Sequence, residues 1–374
     1  MDLLDIARII GGLVLLVGGG ELLVRGASNL AARMGISPLV VGLTVVSVAT
    51  SAPELAVTVG AVLDGQPDLA VGNVVGSNIA NVLLILGVAA LVLPLVVREQ
   101  LIKIDVPVMV GLSVALLLVA RDGQISTVEG VVLLGAMAAH TVLTVVVSRR
   151  AQREELRKRR APAPREGEPM RAPLALLLVV VGVALLVSGA NLLVSGAVNI
   201  AEALGISGLV VGLTVVAIGT SLPELAASVI AAVRGQRDLA VGNVVGSCIA
   251  NIGLVLGVPA IISSGGLPVP TPAIALDIPF MIATTVALAP VVFTGFTVAR
   301  WEGGLFVLLY AAYTAFVVLN ATRHEALEGF ELVMVIFVLP LVALTLLVTS
   351  TFELGVLAER RRVRAKAAAG QPVP

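Results

Sequence analysis

The sequence is poor in the residues that dominate disulfide-rich scaffolds, soft-metal sites and soluble surfaces. It holds one cysteine and two histidines, and only 13% of its 374 residues are charged. The lone Cys248 excludes a disulfide framework within the chain. A soluble domain carries about 25% charged residues, so this low content excludes an ordinary soluble globule and a disordered chain. Lysine and arginine number 24, as do aspartate and glutamate. This balance excludes a basic nucleic-acid-binding protein.

Long apolar runs are what the sequence has in abundance. Hydrophobic residues make up 58% of the chain, and a helix needs about 20 mostly apolar residues to cross a bilayer. The runs predict an all-α polytopic membrane protein. The start, Met-Asp-Leu-Leu-Asp, lacks the basic segment of a cleaved signal, so the first run is predicted to be a retained helix. The predicted spans are residues 7–25, 38–62, 70–96, 102–120, 127–148, 173–193, 208–232, 240–263, 273–293, 303–320 and 331–352.

Basic residues predict the orientation of these spans. Loops rich in lysine and arginine stay in the cytoplasm. Nine basic residues lie between Arg149 and Arg171, and five lie between Arg360 and Lys366. An even number of predicted spans separates the two clusters, so both can be cytoplasmic, which places the N-terminus outside. A short chain of this kind suits a prokaryotic inner membrane.

An internal repeat is the strongest signal in the sequence. Residues 42–87 and 212–257 align without a gap at an offset of 170, and 31 of 46 positions are identical. Each half has five predicted spans, an odd number, so the second half is expected to be inverted relative to the first. Inverted repeats are typical of secondary transporters. The predicted division is a first repeat at 1–148, a basic cytoplasmic linker at 149–172, a second repeat at 173–322, and an extra helix with a basic cytoplasmic tail at 323–374.

Each copy places a carboxylate in the middle of an apolar run. Glu54 ends the stretch Thr-Ser-Ala-Pro-Glu, and Glu224 ends Thr-Ser-Leu-Pro-Glu. An acidic residue at membrane depth is costly and marks a functional site by default. Pro53 and Pro223 each break the helical hydrogen bonding and free carbonyl oxygens one turn earlier. Hydroxyls, free carbonyls and a carboxylate within one turn form a site for a hard cation.

A second repeated element supplies further oxygen atoms. The stretch Gly-Asn-Val-Val-Gly-Ser begins at residue 72 and again at residue 242. Its paired glycines form small surfaces that favour close helix packing in both copies. Ser77 shares a helical face with Asn81, and Ser247 shares one with Asn251. Nitrogen and sulfur ligands are almost absent, which disfavours zinc and copper.

Each of these residues also has a structural alternative. The carboxyl groups could be buried structural groups, and the serines could bond to a carbonyl one turn earlier. The asparagines could join neighbouring helices. Other polar residues have expected roles outside the site. Glu21 and Arg25 are four positions apart and are expected to form an ion pair. Asp105 is expected at the start of a helix, and His140, alone in an apolar span, is expected to be structural.

The two motifs resemble those of the sodium/calcium exchanger family of calcium/cation antiporters, in its short prokaryotic form. The resemblance covers both halves, and residues 42–87 and 212–257 resemble the two α-repeats of that family. It implies that Glu54 and Glu224 bind Ca²⁺ and that the flanking residues form Na⁺ sites. The implied ligands are Glu54, Glu224, the backbone carbonyls of Thr50, Thr220, Ser47 and Ala217, the hydroxyls of Ser51, Ser77, Ser221 and Ser247, and the carboxamides of Asn81 and Asn251.

Three departures from the family pattern stand in the motifs. Ala49 replaces the usual glycine before Thr50, Cys248 stands where the first copy has Asn78, and Asn251 occupies a position where some relatives carry aspartate. With two carboxylates, a site that holds one Ca²⁺ is neutral, whereas a site that holds three Na⁺ carries one positive charge. The predicted eleventh helix is an addition to the ten-helix core of the family.

Three functions are compatible with these residues. The first is an antiporter that exchanges Ca²⁺ for Na⁺ by alternating access. The second is a proton-coupled antiporter of the same fold, with the two glutamates as proton carriers. The third is a passive cation channel, which the pseudo-symmetric broken helices disfavour because channels build filters from rings of like residues. No catalytic arrangement is present, so no enzyme activity, cofactor, nucleic acid or obligate protein partner is expected; the predicted ligands are transported Ca²⁺ and Na⁺ or H⁺, and the environment is the lipid bilayer.

Overall fold

A computed structural model of the chain describes residues 3–158, 170–293, 296–345, 347–348, 351 and 355. Within this part, nine helices are long and apolar enough to cross a membrane, and two bent helix pairs bring the number of spans to eleven. Each predicted apolar run overlaps one of them. They are α1 (Leu3–Met34), α2 (Pro38–Thr50 and Ala52–Leu63), α3 (Pro67–Val92), α4 (Leu101–Asp122), α5 (Thr127–Lys158), α6 (Ala172–Ala203), α7 (Gly208–Val211 with Gly212–Thr220, and Leu222–Val233), α8 (Arg237–Ile262), α9 (Ala273–Val292), α10 (Arg300–Ala321) and α11 (Ala326–Thr345).

The helices α2 and α7 are both broken where the sequence places proline. The two halves of α2 meet at an angle of 41° and those of α7 at 55°. Ser51 and Ser221 form the joints, and each leaves the helical conformation with ψ near zero. Proline stands second in the helix that follows, because its missing N–H and fixed φ suit a helix start. The predicted breaks are therefore present in both copies of the repeat.

The helices α1 and α6 pack against each other along glycine residues. A Cβ atom added to Gly12 would lie 2.7 Å from the carbonyl oxygen of Gly189, and one added to Gly19 would lie 2.7 Å from that of Gly182. The partner number falls as the residue number rises, so the two helices run antiparallel. Only glycine allows backbones to approach this closely.

The helices α3 and α8 form the centre of the protein. In each, 78% of the most apolar stretch is buried, whereas none of the corresponding stretch of α11 is. Both central helices change from α- to π-helical geometry, α3 at Asn81–Ile85 and α8 at Asn251–Leu256. Such π-helical turns are frequent at functional sites, although similar turns also occur in α2, α4, α7, α9 and α11. The sequence-based prediction did not include them.

Two short antiparallel ladders connect loops of the two repeats. The strand β1 (Leu95–Val96) pairs with β4 (Thr297–Val298), and β2 (Gln124–Ile125) pairs with β3 (Leu267–Pro268). The first ladder joins the loop after α3 to the loop after α9, and the second joins the loop after α4 to the loop after α8. Each ladder therefore fixes one repeat to the other outside the helices.

Two expectations for polar residues outside the site are wrong. Glu21 does not pair with Arg25, because Arg234, the residue that follows α7, places its Nε 2.7 Å from the Glu21 carboxylate. Asp105 is fully buried within α4 and is not a boundary residue. Its Oδ1 lies 2.9 Å from Nε2 of His140 on α5. His140 is buried, and its acidic partner lies 35 residues earlier in the chain.

The linker predicted at 149–172 begins as a continuation of α5, which extends to Lys158. Residues 159–169 lie outside the described residues. Met170 is held at the end of α1, where its N–H donates to Asn29 and its carbonyl accepts a hydrogen bond from Arg33. In the predicted extra helix and basic tail at 323–374, all residues after Thr351 except Gly355 lie outside the described residues.

Candidate cation site

The two predicted carboxylates lie at equivalent places in the broken helices. Glu54 and Glu224 occupy the first turn after the break in α2 and in α7, and each is 1% exposed. Both carboxylates stand at the start of a helix, where free N–H groups carry a partial positive charge. The two carboxyl groups are close enough to repel each other. Such a pair requires a cation or a proton between its members.

Hydroxyl groups from α2 reach the carboxylate of α7. Ser51 Oγ lies 3.5 Å from Oε1 of Glu224, and the hydroxyl of Thr50 also contacts this carboxylate. Both residues are buried completely. Ser221 of α7 is the equivalent of Ser51. It is buried, but its hydroxyl has no hydrogen-bond partner within the described residues. The two halves of the site are therefore not equivalent.

The central helices contribute serines and asparagines. Ser77, Asn81, Ser247 and Asn251 are all buried in α3 and α8. The π-helical turn that starts at Asn251 packs against the second half of α2, and the turn that starts at Asn81 packs against the second half of α7. Asparagines of each central helix thus stand next to the helix that carries one of the acids.

Several of these residues carry buried oxygen atoms that have no hydrogen-bond partner. Buried polar atoms without hydrogen bonds are rare and costly in proteins. The described residues contain nine buried side-chain nitrogen or oxygen atoms without a partner, and six of the nine belong to predicted ligands. These six are all oxygens: Glu54 Oε2, Glu224 Oε2, Ser221 Oγ, Ser247 Oγ, Asn81 Oδ1 and Asn251 Oδ1. Their donor chemistry is that of a site for Ca²⁺ or another hard cation.

Two of the predicted ligands are less buried than their counterparts in the other copy. Ala217 is exposed and Thr220 is only half-buried, whereas the equivalent Ser47 and Thr50 are buried completely. The structure therefore brings together the ligands of α2, the acid of α7 and the buried polar residues of the central helices. It leaves the first half of α7 partly open.

Two further asparagines were missed by the ligand prediction. Asn73 donates from Nδ2 to the backbone carbonyl of Glu54 at 3.4 Å, and Asn243 donates to that of Glu224 at the same distance. Both stand in the repeated stretch Gly-Asn-Val-Val-Gly-Ser, so the repeat itself was the available signal. The substitution at Cys248 also has a visible effect. The carboxamide oxygen of Asn78 accepts a hydrogen bond from Asn251 at 3.1 Å. The equivalent Cys248 has a thiol and no carboxamide oxygen, so it cannot accept the same bond from Asn81.

The chain is similar in sequence to known membrane proteins. The family model described as sodium/calcium exchanger protein matches residues 4–146 and 174–319. The chain is 34% identical to the sodium/calcium exchanger MaX1 of Methanosarcina acetivorans over 334 residues, which cover 81% of this chain and 95% of that protein. It is 41% identical to the inner membrane protein YrbG of Escherichia coli over 267 residues, which cover 70% and 81% respectively.

The fold is also found among solved structures. A structure of the sodium-calcium exchanger NCX_Mj, soaked with Na⁺ and Sr²⁺, superposes with a TM-score of 0.70 and 31% identity, covering 86% of this chain and 99% of that one. The family match ends before α11, so this helix stands outside the shared core. The chain is a multi-pass membrane protein, and it belongs to the sodium/calcium exchanger family.

Proposed function

We propose that the protein is a secondary antiporter that exchanges Ca²⁺ for Na⁺ at a site between its two repeats. The observation that carries the proposal is the set of six unpartnered buried oxygen atoms, two from the carboxylates of Glu54 and Glu224 and four from hydroxyl and carboxamide groups of predicted ligands. A divalent cation between Glu54 and Glu224 neutralises both negative charges. It also satisfies oxygens that would otherwise be buried without a partner.

Each predicted ligand has a role in this proposal. Ca²⁺ lies between the two carboxylates, with backbone carbonyls of the residues at the two breaks. Na⁺ ions occupy the flanking positions, where neutral hydroxyl and carboxamide oxygens suffice. The flanking ligands are Ser51, Ser77, Ser221, Ser247, Asn81 and Asn251, with the backbone carbonyls of Ser47 and Ala217. The two ions share ligands, so binding of one excludes the other.

The exchange proceeds by alternating access between two inverted repeats, with the N-terminus outside. The antiparallel packing of α1 and α6, which are equivalent helices of the two copies, supports the inversion. The ladders support it as well. The strands β1 and β3 follow equivalent helices in the two copies, as do β2 and β4, so the pair β1–β4 is equivalent to the pair β3–β2. The broken helices α2 and α7 would then enter the site from opposite membrane faces.

Uptake of radioactive Ca²⁺ into proteoliposomes tests the proposal. Vesicles that contain the protein receive an outward Na⁺ gradient, an outward proton gradient, or no gradient. We expect Ca²⁺ uptake only with the Na⁺ gradient, because the hydroxyl and carboxamide oxygens suit Na⁺ and a proton needs no such ligands. Uptake driven only by protons would assign the facing glutamates as proton carriers, and uptake without any gradient would indicate a channel.

Changing Asn251 to aspartate should alter the Na⁺ dependence more than the Ca²⁺ affinity. The added carboxylate compensates the excess positive charge of a site filled with three Na⁺ ions. It adds little for a Ca²⁺ ion that Glu54 and Glu224 already neutralise. We expect half-maximal Na⁺ activation at a lower concentration in Na⁺ titrations of Ca²⁺ flux. Asn81→Asp is the matched variant in the other repeat, and Na⁺ titrations of Asn251→Asp that coincide with the parent would contradict the charge argument.

A further inference from the structure

The two copies of the repeat are packed differently despite their similar sequences. A Cβ atom added to Gly42 on α2 would lie 2.6 Å from the carbonyl oxygen of Leu239, whereas one added to the equivalent Gly212 would meet nothing within 4 Å. Val46 is completely buried, whereas the equivalent Val216 is 43% exposed. The first half of α2 therefore packs closely against α8, which we call closed. The first half of α7 does not pack closely against α3, which we call open.

The glycines of the central helices show the same difference. A Cβ atom added to Gly246 would lie 2.6 Å from Cα of Leu43 and 2.7 Å from Oγ of Ser47. One added to the equivalent Gly76 would meet nothing within 4 Å. The close packing that the repeated glycines predict is thus present in one copy only. In the proposed orientation, the site is closed towards the cytoplasm and open towards the outside.

One asparagine of each central helix bonds to the half of the broken helix that carries the acid. Asn243 donates from Nδ2 to the carbonyl of Glu224 at 3.4 Å and to Oγ of Ser228 at 2.9 Å. Asn73 makes the equivalent bonds, to the carbonyl of Glu54 at 3.4 Å and to the hydroxyl of Thr58 at 3.0 Å. Both carboxamides therefore hold the backbone of an acid in place through the same pair of contacts.

The remaining oxygen of each carboxamide distinguishes the two copies. The Thr50 hydroxyl lies 3.3 Å from the carbonyl oxygen of Ser47 on its own helix and also 3.3 Å from Oδ1 of Asn243, so its hydrogen is shared with a contact that joins the closed half of α2 to the opposite repeat. Thr220 lies at the equivalent place on α7, but its hydroxyl bonds to the carbonyl of Ala217 on its own helix. Asn243 is 1% exposed, whereas Asn73 is only half-buried.

We propose that Asn243 and Asn73 are positioning residues. Asn243 couples closure of α2 to the position of Glu224, and Asn73 couples closure of α7 to the position of Glu54. Closure of α2 makes the Thr50–Asn243 bond. In the opposite access state, this bond is broken and a Thr220–Asn73 bond replaces it. The proposal rests on the proposed exchange function and names the residues that link access to the ion site.

The cost of an unpaired buried amide explains the exchange of partners. When α2 is closed, the oxygen of Asn243 is cut off from water, and the hydroxyl of Thr50 satisfies it. Asn73 now borders the open side, where water can satisfy its oxygen. Closure of α7 removes that water and leaves Thr220 as the equivalent donor. Asn243 also holds the carbonyl of Glu224, so closure of α2 fixes the acid of α7. Closure of α7 fixes Glu54, the acid of α2, through Asn73 in the same way.

Labelling of single cysteines in nanodiscs tests this proposal, since both membrane faces are open to reagent. Cys248 is replaced by alanine, and either Val216→Cys or Val46→Cys is introduced as a reporter for a hydrophilic maleimide. We expect Asn243→Ala to slow labelling at position 216 and to speed labelling at position 46, so that the ratio of the two rates changes about fivefold for one lost hydrogen bond. Asn73→Ala should shift both rates in the opposite direction.

Threonine variants provide the matched controls. Thr50→Val removes the hydroxyl but keeps the shape, so it should reproduce Asn243→Ala, and Thr50→Ser should restore the parent rates. Thr220→Val should reproduce Asn73→Ala. These variants keep the test decisive if an asparagine variant does not fold. Opposite shifts at the two reporters support the proposal whatever ion the vesicle assay identifies; equal shifts, or none, overturn it even where Na⁺-driven Ca²⁺ uptake is measured.

Discussion

Replacing Glu54 or Glu224 with glutamine is expected to abolish Ca²⁺ exchange while leaving the fold intact. Glutamine keeps the size and the polar atoms of the side chain but removes its charge. Two unit charges 4 Å apart interact by about 4 kcal/mol at an effective dielectric constant of 20. A doubly charged ion loses more than this, which corresponds to a reduction of at least about a thousandfold in Ca²⁺ affinity.

The measurement is Na⁺-driven Ca²⁺ uptake into proteoliposomes, with size-exclusion chromatography to confirm folding. Glu99→Gln is the matched control, because the Glu99 side chain is exposed and pairs with Lys103 outside the site. This variant should transport at the parent rate. Normal Ca²⁺ flux in either site variant would remove the central carboxylates from the mechanism and refute the proposed exchange site.

The sequence alone predicts the features that depend on short-range chemistry. Apolar length defines the spans, since lipid allows few alternatives to a helix. Pro53 and Pro223 define the breaks because proline cannot donate a hydrogen bond. The acids at Glu54 and Glu224 indicate a functional site because a buried charge without a partner is too costly to keep. Each of these predictions follows from a few neighbouring residues.

The features that the sequence does not predict depend on which helices meet. Asp105 and His140 lie 35 residues apart, and nothing near either of them shows that they form a buried pair. The repeat also makes its two copies look alike, so no local pattern indicates that Gly246 packs closely while Gly76 does not. A conformational state is a choice between two packings of one sequence, and the sequence must be compatible with both.

Changing Gly19 to alanine should destabilise the protein, whereas the same change at the neighbouring Gly18 should not. A Cβ atom at Gly19 would lie 2.7 Å from the carbonyl oxygen of Gly182 and 2.8 Å from the backbone nitrogen of Leu186. These are backbone atoms of α6, so the whole helix must move. Overpacking of this kind costs about 1–3 kcal/mol.

The pair of variants separates helix packing from the intrinsic effect of alanine. A Cβ atom at Gly18 would meet nothing within 4 Å, so Gly18→Ala receives only the helical preference of alanine, up to about 1 kcal/mol of stabilisation. Thermal unfolding of the full chain in detergent should therefore show a lower midpoint for Gly19→Ala and an unchanged or higher midpoint for Gly18→Ala. Equal midpoints would mean that α1 and α6 can separate at no cost. The glycine contact would then not be what holds these two equivalent helices of the repeats together.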